Sequence, residues 1–382
     1  MSSRLQAIGP LFAWLKRGGP CPPATQHAES PPLLHLSDAV AFAGDEGNVK
    51  LVATKRLEKG HFVMGVARSS CLHARSEALS PARAKQVEAA SAAIRLAAEW
   101  KTPLVDAADT GRLECIVLLA LELLDGEKSA WAPYLQSLPS AQHAAPPSLW
   151  ALHGEAVAAE LLLDTSIGAL VAIDQREVAA IAGPLAPPPA ASDADCPDAA
   201  AAAADETRDT LHLAATLGVA PSVSEEAARS AFAHAIGLVV TRLISGVGLV
   251  PLFDLLNGAP TGEHNATIER SNLAASASAK EEAPCCAALA SRTIEEGEEI
   301  LLAYGELSAG QFLYKYGWLP GGDLATSGAT SVHDEPQVGP APPHPPLALP
   351  FSSSLALSCR WCREGCGRPS RRHSGRCSSA SS

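Results

Sequence analysis

Two short patches of polar, aromatic and glycine residues, both between positions 249 and 320, constrain the fold of this chain more than any other feature. The first patch reads V-P-L-F-D-L-L-N-G over residues 250–258. The second reads I-E-E-G-E-E-I-L-L-A-Y-G over residues 294–305 and closes with Y-K-Y-G-W over residues 314–318. Three of the four tyrosines of the chain lie in this second patch. We therefore expect the remaining sequence to form the scaffold of these two patches.

The second patch has clear local signals of its own. A glycine-bearing turn is followed by a short apolar run over residues 300–303, which predicts a buried strand that ends at Tyr304. Ser308 is typical of a helix N-cap, and the helix that follows is predicted to end at Gly317. From the residues alone, Tyr304 and Tyr316 are either half-buried core residues with satisfied hydroxyls or members of a functional site. Each is followed by a glycine, which favours the site.

The rest of the chain divides into a strand-rich part and a helix-rich part. Two strands are predicted over residues 50–54 and 61–66, separated by a turn that contains Gly60. Apolar residues recur at three-to-four spacing over residues 84–100 and 113–124, which predicts amphipathic helices. A further helix is predicted from about Ser224.

Composition excludes several classes of protein. With 382 residues, of which 47% are hydrophobic, the chain can bury a sizeable core. A net charge of −12 argues against a general nucleic-acid partner. Ten scattered cysteines without a signal peptide indicate a reducing compartment. The longest apolar run, residues 235–253, contains Arg242 and several glycines, which predicts core and no membrane association.

The two patches resemble the SET-domain protein methyltransferases, specifically the branch typified by the Rubisco large-subunit lysine methyltransferase. That branch shows V-P-x-x-D-x-x-N-H, then G-E-x-[VI]-x-[IL]-x-Y-G, then a helix that closes on L-x-x-Y-G-[FW]. Residues 250–257, 297–305 and 313–318 follow these patterns in the same order. Residues 129–139, S-A-W-A-P-Y-L-Q-S-L-P, are also close to the branch's S-x-W-x-P-Y-L-x-x-L-P pattern. The resemblance implies an α+β fold with a SET β-fold core, a pseudoknot-like C-terminal segment and an all-helical insertion.

The resemblance also implies a division of the chain. The expected parts are an N-terminal helix and lead-in (1–43), the first part of the SET core (44–78), the helical insertion (79–242), the second part of the core (243–320) and a tail (321–382). The Ala/Pro tract at 183–207 and the Pro/Ser/Cys/Arg-rich tail are expected to be disordered, since neither supplies core residues. A zinc site from the tail cysteines is the alternative, although only Cys359 and Cys362 are closely spaced. Branch members usually continue into a helical substrate-binding domain, whereas this sequence continues into the tail.

The function implied is S-adenosylmethionine-dependent transfer of a methyl group to the ε-amine of a lysine in a non-histone protein. This reaction is an in-line displacement that needs alignment and a neutral amine, which a narrow apolar channel can supply. The expected partner is a protein substrate with an acceptor lysine, and the expected state is a monomer. Two alternatives remain open: a histidine-directed methyltransferase, and a non-catalytic SET-like scaffold.

The resemblance assigns roles to residues of both patches. Tyr304 would be the catalytic residue, with its hydroxyl beside the transferred methyl group and near the sulfonium, and Tyr316 and Phe253 would line the lysine channel. The expected cofactor-binding residues are Gly47, Asn48, Val49, Arg242, Asp254, Asn257, Gly258 and Tyr304. No metal is expected in this site.

Four positions depart from the family pattern or have an alternative role. Gly258 stands where the branch has histidine, and Asn48 and Lys50 stand where it has glycines; the glycine at 258 and the lysine at 50 motivate the scaffold alternative. Arg242 is read either as a neighbour of the cofactor carboxylate or as a structural ion-pair partner.

The N-terminus has two readings. The first 28 residues contain no acidic side chain, as in a transit peptide. However, L-F-A-W-L-K over residues 11–16 resembles the amphipathic helix with which branch members open, and we favour the helix. The expected location is the cytoplasm or nucleus, with the chloroplast as the alternative.

Overall fold

The structure is a computed structural model. It describes residues 4–20, 34–44, 49–76, 78–97, 111–153, 212–260, 262–270, 286–305 and 307–318, and isolated positions between 162 and 178. The Ala/Pro tract at 183–207 and the tail at 321–382, for which disorder was expected, lie outside the described residues.

The strands form a six-stranded mixed sheet and a separate hairpin. They are β1 (Leu34–Leu36), β2 (Val40–Gly44), β3 (Val49–Ala53), β4 (Phe62–Val66), β5 (Gly258–Ala259), β6 (Ala266–Arg270), β7 (Cys286–Ala290) and β8 (Leu302–Ala303). The larger sheet has the order β1-β4-β7-β6-β8-β5, and β2 and β3 form the hairpin. Neighbours are antiparallel, except that β8 runs parallel to both β5 and β6. Residues far apart in sequence therefore meet at β8.

The position of β8 requires an unusual path of the chain. It lies between β5 and β6, which are consecutive strands in the sequence, so the chain must pass from one side of β8 to the other between them. The residues just before β8 also bond to the hairpin, because the Ile300 N–H donates to the Leu51 carbonyl (2.8 Å) and the Ala53 N–H donates to the Glu298 carbonyl (2.9 Å). The C-terminal segment is thus held between the hairpin and the asparagine-bearing patch.

The helices supply most of the remaining core. They are α1 (Arg4–Lys16), α2 (Pro81–Ala97), α3 (Arg112–Asp125), α4 (Ala132–Ser137), α5 (Ala141–Ala144), α6 (Leu213–Thr216), α7 (Glu225–Arg242) and α8 (Ala309–Tyr316). Helix α7 packs along α3, and α2 packs against α3 and α6. The α+β class is confirmed, while the domain boundaries stay a prediction.

Local signals account for three of the helix ends. The Ser224 side chain accepts a hydrogen bond from the Ala227 N–H at the start of α7 (3.1 Å). Ser308 and Gln311 form a reciprocal capping box at the start of α8. Gly317 ends α8 with φ = 78°, a conformation that glycine adopts without steric cost. The ends predicted at Ser224, Ser308 and Gly317 are confirmed.

Helix α1 confirms the amphipathic reading of the N-terminus and extends it to Arg4. Leu11 and Leu15 are fully buried and Trp14 is nearly so, and the Trp14 indole donates to the Ala130 carbonyl next to α4 (3.2 Å). Within the described part of the chain, no helix is both long enough and apolar enough to span a bilayer.

Candidate active site

Tyr304 lies at the end of β8, directly above the first patch. The parallel register pairs Gly258 with Leu302 and Ala259 with Ala303, so the next residue lies over the β5 backbone. The Tyr304 hydroxyl donates to the Leu256 carbonyl (3.3 Å). A Cβ atom built on Gly258 would overlap Cε1 and Cζ of the Tyr304 ring. Glycine at position 258 is therefore required by the position of this tyrosine.

Tyr316 stacks against Tyr304 from helix α8. The ring centroids are 4.6 Å apart and the planes are inclined by 32°. The fully buried Phe312, one helical turn earlier, supports Tyr316 at 5.9 Å. The capping box and the Gly317 terminus fix α8 and so fix the orientation of this pair.

Burial sets the protonation state of both tyrosines. Burial raises the pKa of Tyr304. The positive charge of Arg242 lowers this pKa, but by less. Burial likewise raises the pKa of Tyr316, and the neighbouring Tyr304 raises it further. Both hydroxyls therefore stay neutral at physiological pH and act as hydrogen-bonding groups, so neither serves as a base.

Asn257 is held on two sides. Its side-chain Nδ2 donates to Glu299 Oε1 (2.7 Å), and its carbonyl accepts from the Leu302 N–H (2.9 Å). Both side chains are half-buried. Glu299 thereby orients the Asn257 carboxamide and places a carboxylate beside it.

Asp254 is bound by Tyr134, which belongs to the helical part of the chain. Tyr134 is fully buried in α4, and its hydroxyl donates to Asp254 Oδ2. Burial raises the pKa of Tyr134, and the Asp254 charge raises it further. This bond ties the pattern at residues 129–139 to the pattern at residues 250–258.

Arg242 ends α7 beside these groups. Its Nη1 donates to the Thr241 hydroxyl, whereas its buried Nε has no hydrogen-bond partner among the residues that the structure describes. Its positive charge lowers the pKa of Tyr134, Tyr304 and Tyr316, although in each case the effect of burial is larger. The site therefore contains a cation with an unused, buried donor.

Phe253 follows a strained residue. Leu252 is a non-glycine residue with φ = 70°, a conformation that costs about 1–2 kcal/mol for an L-amino acid. Phe253 is buried at the start of the short 3₁₀ turn Phe253–Leu255. Strain of this kind persists where the surroundings hold it, and it is common at functional sites.

The predicted N-terminal cofactor loop is placed in part. Gly47 and Asn48 lie outside the described residues. Val49 begins β3, pairs with Gly44 and is buried. Strand β3 contacts the turn Phe253–Leu255, so the hairpin that carries this loop adjoins the first patch. The roles of all these residues stay predictions.

Three residues form hydrogen bonds that hold the site in place, although the sequence alone does not single them out. Tyr134 stands in the pattern at residues 129–139, but an aromatic residue in a proline-bounded turn is by itself typical of packing. Glu299 stands in an acidic stretch that is typical of a solvated turn. Asn265 is fully buried: its Nδ2 donates to the Glu299 carbonyl (2.7 Å), and its Oδ1 accepts from the Leu301 N–H (2.8 Å). An isolated asparagine before an alternating strand has no local signal for this role.

No protein-family model matches the chain, and no curated protein matches it either. Within the described residues, no group of three or more His, Cys, Asp or Glu side chains is arranged to hold a metal ion.

Several solved structures are similar to the chain. They include the SET domain of LSMT bound to lysine and AdoHcy (TM-score 0.47, 16% identity) and Rubisco LSMT bound to AdoMet (TM-score 0.45, 15% identity). A third is Rubisco LSMT bound to sinefungin and monomethyllysine (TM-score 0.43, 16% identity). The matches cover 82% of this chain in the first two and 84% in the third. The chain spans 57% of the length of each of these proteins.

Proposed function

We propose that this protein is a methyltransferase that transfers a methyl group from S-adenosylmethionine to the ε-amine of a lysine in a protein. The observation that carries the proposal is the stacked pair of Tyr304 and Tyr316 beside Asn257 and Gly258. The two sequence patches that resemble SET methyltransferases meet at this point.

The residues suit a reaction that depends on alignment. Methyl transfer from a sulfonium needs the nucleophile, the methyl carbon and the sulfur in line, and it needs no strong base if the amine arrives neutral. Two half-buried aromatic rings provide an apolar wall, which favours the neutral form of an incoming lysine. The Tyr304 hydroxyl uses its proton on the Leu256 carbonyl, so its lone pairs are available to the reacting centre.

The polar residues suit the methionine end of the cofactor. Bound S-adenosylmethionine supplies an electrophilic methyl group on a sulfonium. The carboxylate of S-adenosylmethionine matches the buried Nε of Arg242, which has no hydrogen-bond partner among the described residues. Its ammonium matches the Asn257 and Glu299 pair, which combines a carboxamide with a carboxylate. Tyr134 and Asp254 hold the loop on which Asn257 stands.

The proposed substrate is a non-histone protein. The sequence resemblance supports a non-histone protein, since members of that branch act mostly on such proteins. The observation that Tyr304 requires Gly258 removes one motive for the scaffold alternative, because this glycine fits the site.

Cofactor binding and transfer test the proposal in two steps. Added S-adenosylhomocysteine is expected to raise the Tm of the protein by mass action. With S-adenosylmethionine that carries a labelled methyl group, label should appear on lysines of proteins in a lysate. A Tm that does not change together with an absence of label would refute the proposal, whereas binding without transfer would point to the scaffold. Label on histidine alone would identify the histidine-directed alternative.

A further inference from the structure

Lys315 is a lysine of this chain that lies against the aromatic pair of the candidate site. It belongs to α8, and its Nζ is 5.0 Å from the centroid of the Tyr316 ring. Tyr316 in turn stacks on Tyr304, so the Lys315 amine contacts one of the two rings of the candidate site. The side chain is half-buried, and it forms neither a hydrogen bond nor an ion pair with any of the residues that the structure describes.

The surroundings of Lys315 favour its neutral form. Burial lowers its pKa to about 8, and the charge of Arg112 contributes in the same direction. An exposed lysine titrates near 10.4, so almost all of its population is protonated at pH 8. The lowered pKa of Lys315 raises the share of its free amine, which is the nucleophilic form. The aromatic ring beneath it also binds the cationic form, and it binds a methylated ammonium in the same way.

We propose that Lys315 is itself a methyl acceptor of this protein and is modified within the same molecule. This proposal rests on the proposed function. The lone pair of Nζ forms a bond to the methyl carbon while the carbon–sulfur bond breaks, and its electron pair returns to sulfur, which becomes a thioether. The proton of the resulting methylammonium is released to water. The flexible four-carbon stem of lysine allows the amine to move from the Tyr316 face toward Tyr304.

The location of Lys315 requires the reaction to be intramolecular. Helix α8 also carries Tyr316, and its C-terminus packs against Trp150, to which a Cβ on Gly317 would come within 3.2 Å. Presenting Lys315 to a second molecule would require α8 to detach, which would separate Tyr316 from Tyr304. The rate per molecule should therefore be independent of protein concentration.

Peptide mass mapping tests the proposal directly. The protein is incubated with S-adenosylmethionine, digested and mapped for added methyl groups. Methylation is expected at Lys315, and it should be abolished by Lys315→Arg, which keeps a cation over Tyr316. The matched control Lys128→Arg, at an exposed lysine in the short turn Gly126–Lys128, should leave it unchanged. Tyr304→Phe should reduce it roughly 100-fold or more.

A second readout uses the protein without cofactor. The pKa of Lys315 is measured by an NMR titration of the lysine Cε resonances, with Lys315→Arg for assignment. A value near 8 supports the proposal, and an unperturbed value overturns it.

The outcomes separate this proposal from the proposed function. If lysate proteins acquire label but Lys315 does not, self-methylation is refuted and the methyltransferase remains. If S-adenosylhomocysteine leaves the Tm unchanged and no protein acquires label, both fail. A Lys315 reaction whose rate per molecule rises with protein concentration overturns the intramolecular form.

Discussion

At the scale of single residues, the candidate site depends on one steric match. Tyr304 occupies the space that any side chain at position 258 would need, and its hydroxyl reaches the Leu256 carbonyl in the same loop. Gly258 looked like a departure from the family pattern when only the sequence was considered. In the folded chain it allows the aromatic ring to lie against the backbone that bears Asn257.

Tyr304→Phe is expected to reduce turnover and leave cofactor affinity nearly unchanged. The variant keeps the stacking on Tyr316 and loses one oriented hydroxyl, a change that typically costs roughly 100- to 1000-fold in rate. Single-turnover rates measure the effect on transfer, and titration with S-adenosylhomocysteine measures binding. An unchanged rate would show that Tyr304 is a core residue without a catalytic role.

Gly258→Ala is expected to destabilise the protein, because the added methyl group must displace the Tyr304 ring. Overpacking of this kind typically costs about 1–3 kcal/mol. The free energy of unfolding from urea titration measures it in the wild-type background and in a Tyr304→Ala background. The cost should largely disappear in the second background, as expected for two groups that contact each other. An equal cost in both backgrounds would contradict the steric match.

At the scale of elements, two helices hold the site. Helix α8 supplies Tyr316 and is fixed at both ends by its capping box and Gly317. Helix α4 supplies Tyr134, whose hydroxyl binds Asp254 in the loop between α7 and β5. The helical part of the chain thus anchors a loop of the strand-rich part.

Tyr134→Phe is expected to weaken cofactor binding, because Asp254 loses its buried donor. Losing a hydrogen bond to a charged group costs about 1.5–3 kcal/mol, which appears both in the free energy of unfolding and as a looser loop around Asn257. Ser137→Ala is the matched control: it removes a buried hydroxyl of the same helix that donates to the Tyr134 carbonyl. Calorimetric titration with S-adenosylhomocysteine should show a larger loss of affinity in Tyr134→Phe than in the control. Equal losses would mean that Tyr134 acts through general stability alone.

The elements also show what could be predicted from the sequence. Helix α8 was predicted with both ends, because Ser308 and Gly317 are strong local signals. The strand predicted over residues 300–303 is shorter, since β8 covers Leu302–Ala303 and Ile300 bonds to the hairpin instead. The meeting of Tyr304 and Asn257 followed from the family resemblance. The bonds of Glu299 and Asn265 depend on which segments pair, and no local pattern carries that information.

At the scale of the whole molecule, a polar cluster helps to fasten the crossing at β8. Glu298 accepts hydrogen bonds from Arg292 (2.6 Å), from the Asn265 side chain (3.1 Å) and from the Glu295 N–H (3.0 Å). The Arg292 bond is the largest of the effects that lower the Glu298 pKa to about 2. The cluster therefore joins the turn before β8 to the link that crosses it.

The stability that Glu298 contributes is expected to depend on pH. Its folded pKa lies below its ordinary value of 4.5, so the contribution is complete above pH 4.5 and is lost as the pH falls toward 2. Arg292 is 48% exposed and Glu298 is 29% exposed, so we expect no more than about 1 kcal/mol. The free energies of unfolding of the wild type and Glu298→Gln should differ at pH 7 and converge only as the pH falls to about 2. A difference that stays constant over this range would contradict the ionic role.

The pairing of the hairpin with the last part of the core has a consequence for synthesis of the chain. Val52 forms a bridge with Glu299, so the first strands have no partner there until residue 299 has been translated. At about 5–20 residues per second, this interval is on the order of 10–50 s. During that time the edge of the hairpin is open to wrong partners, including the hairpins of neighbouring nascent chains. The yield of soluble protein should therefore depend on chaperones that cover nascent strands.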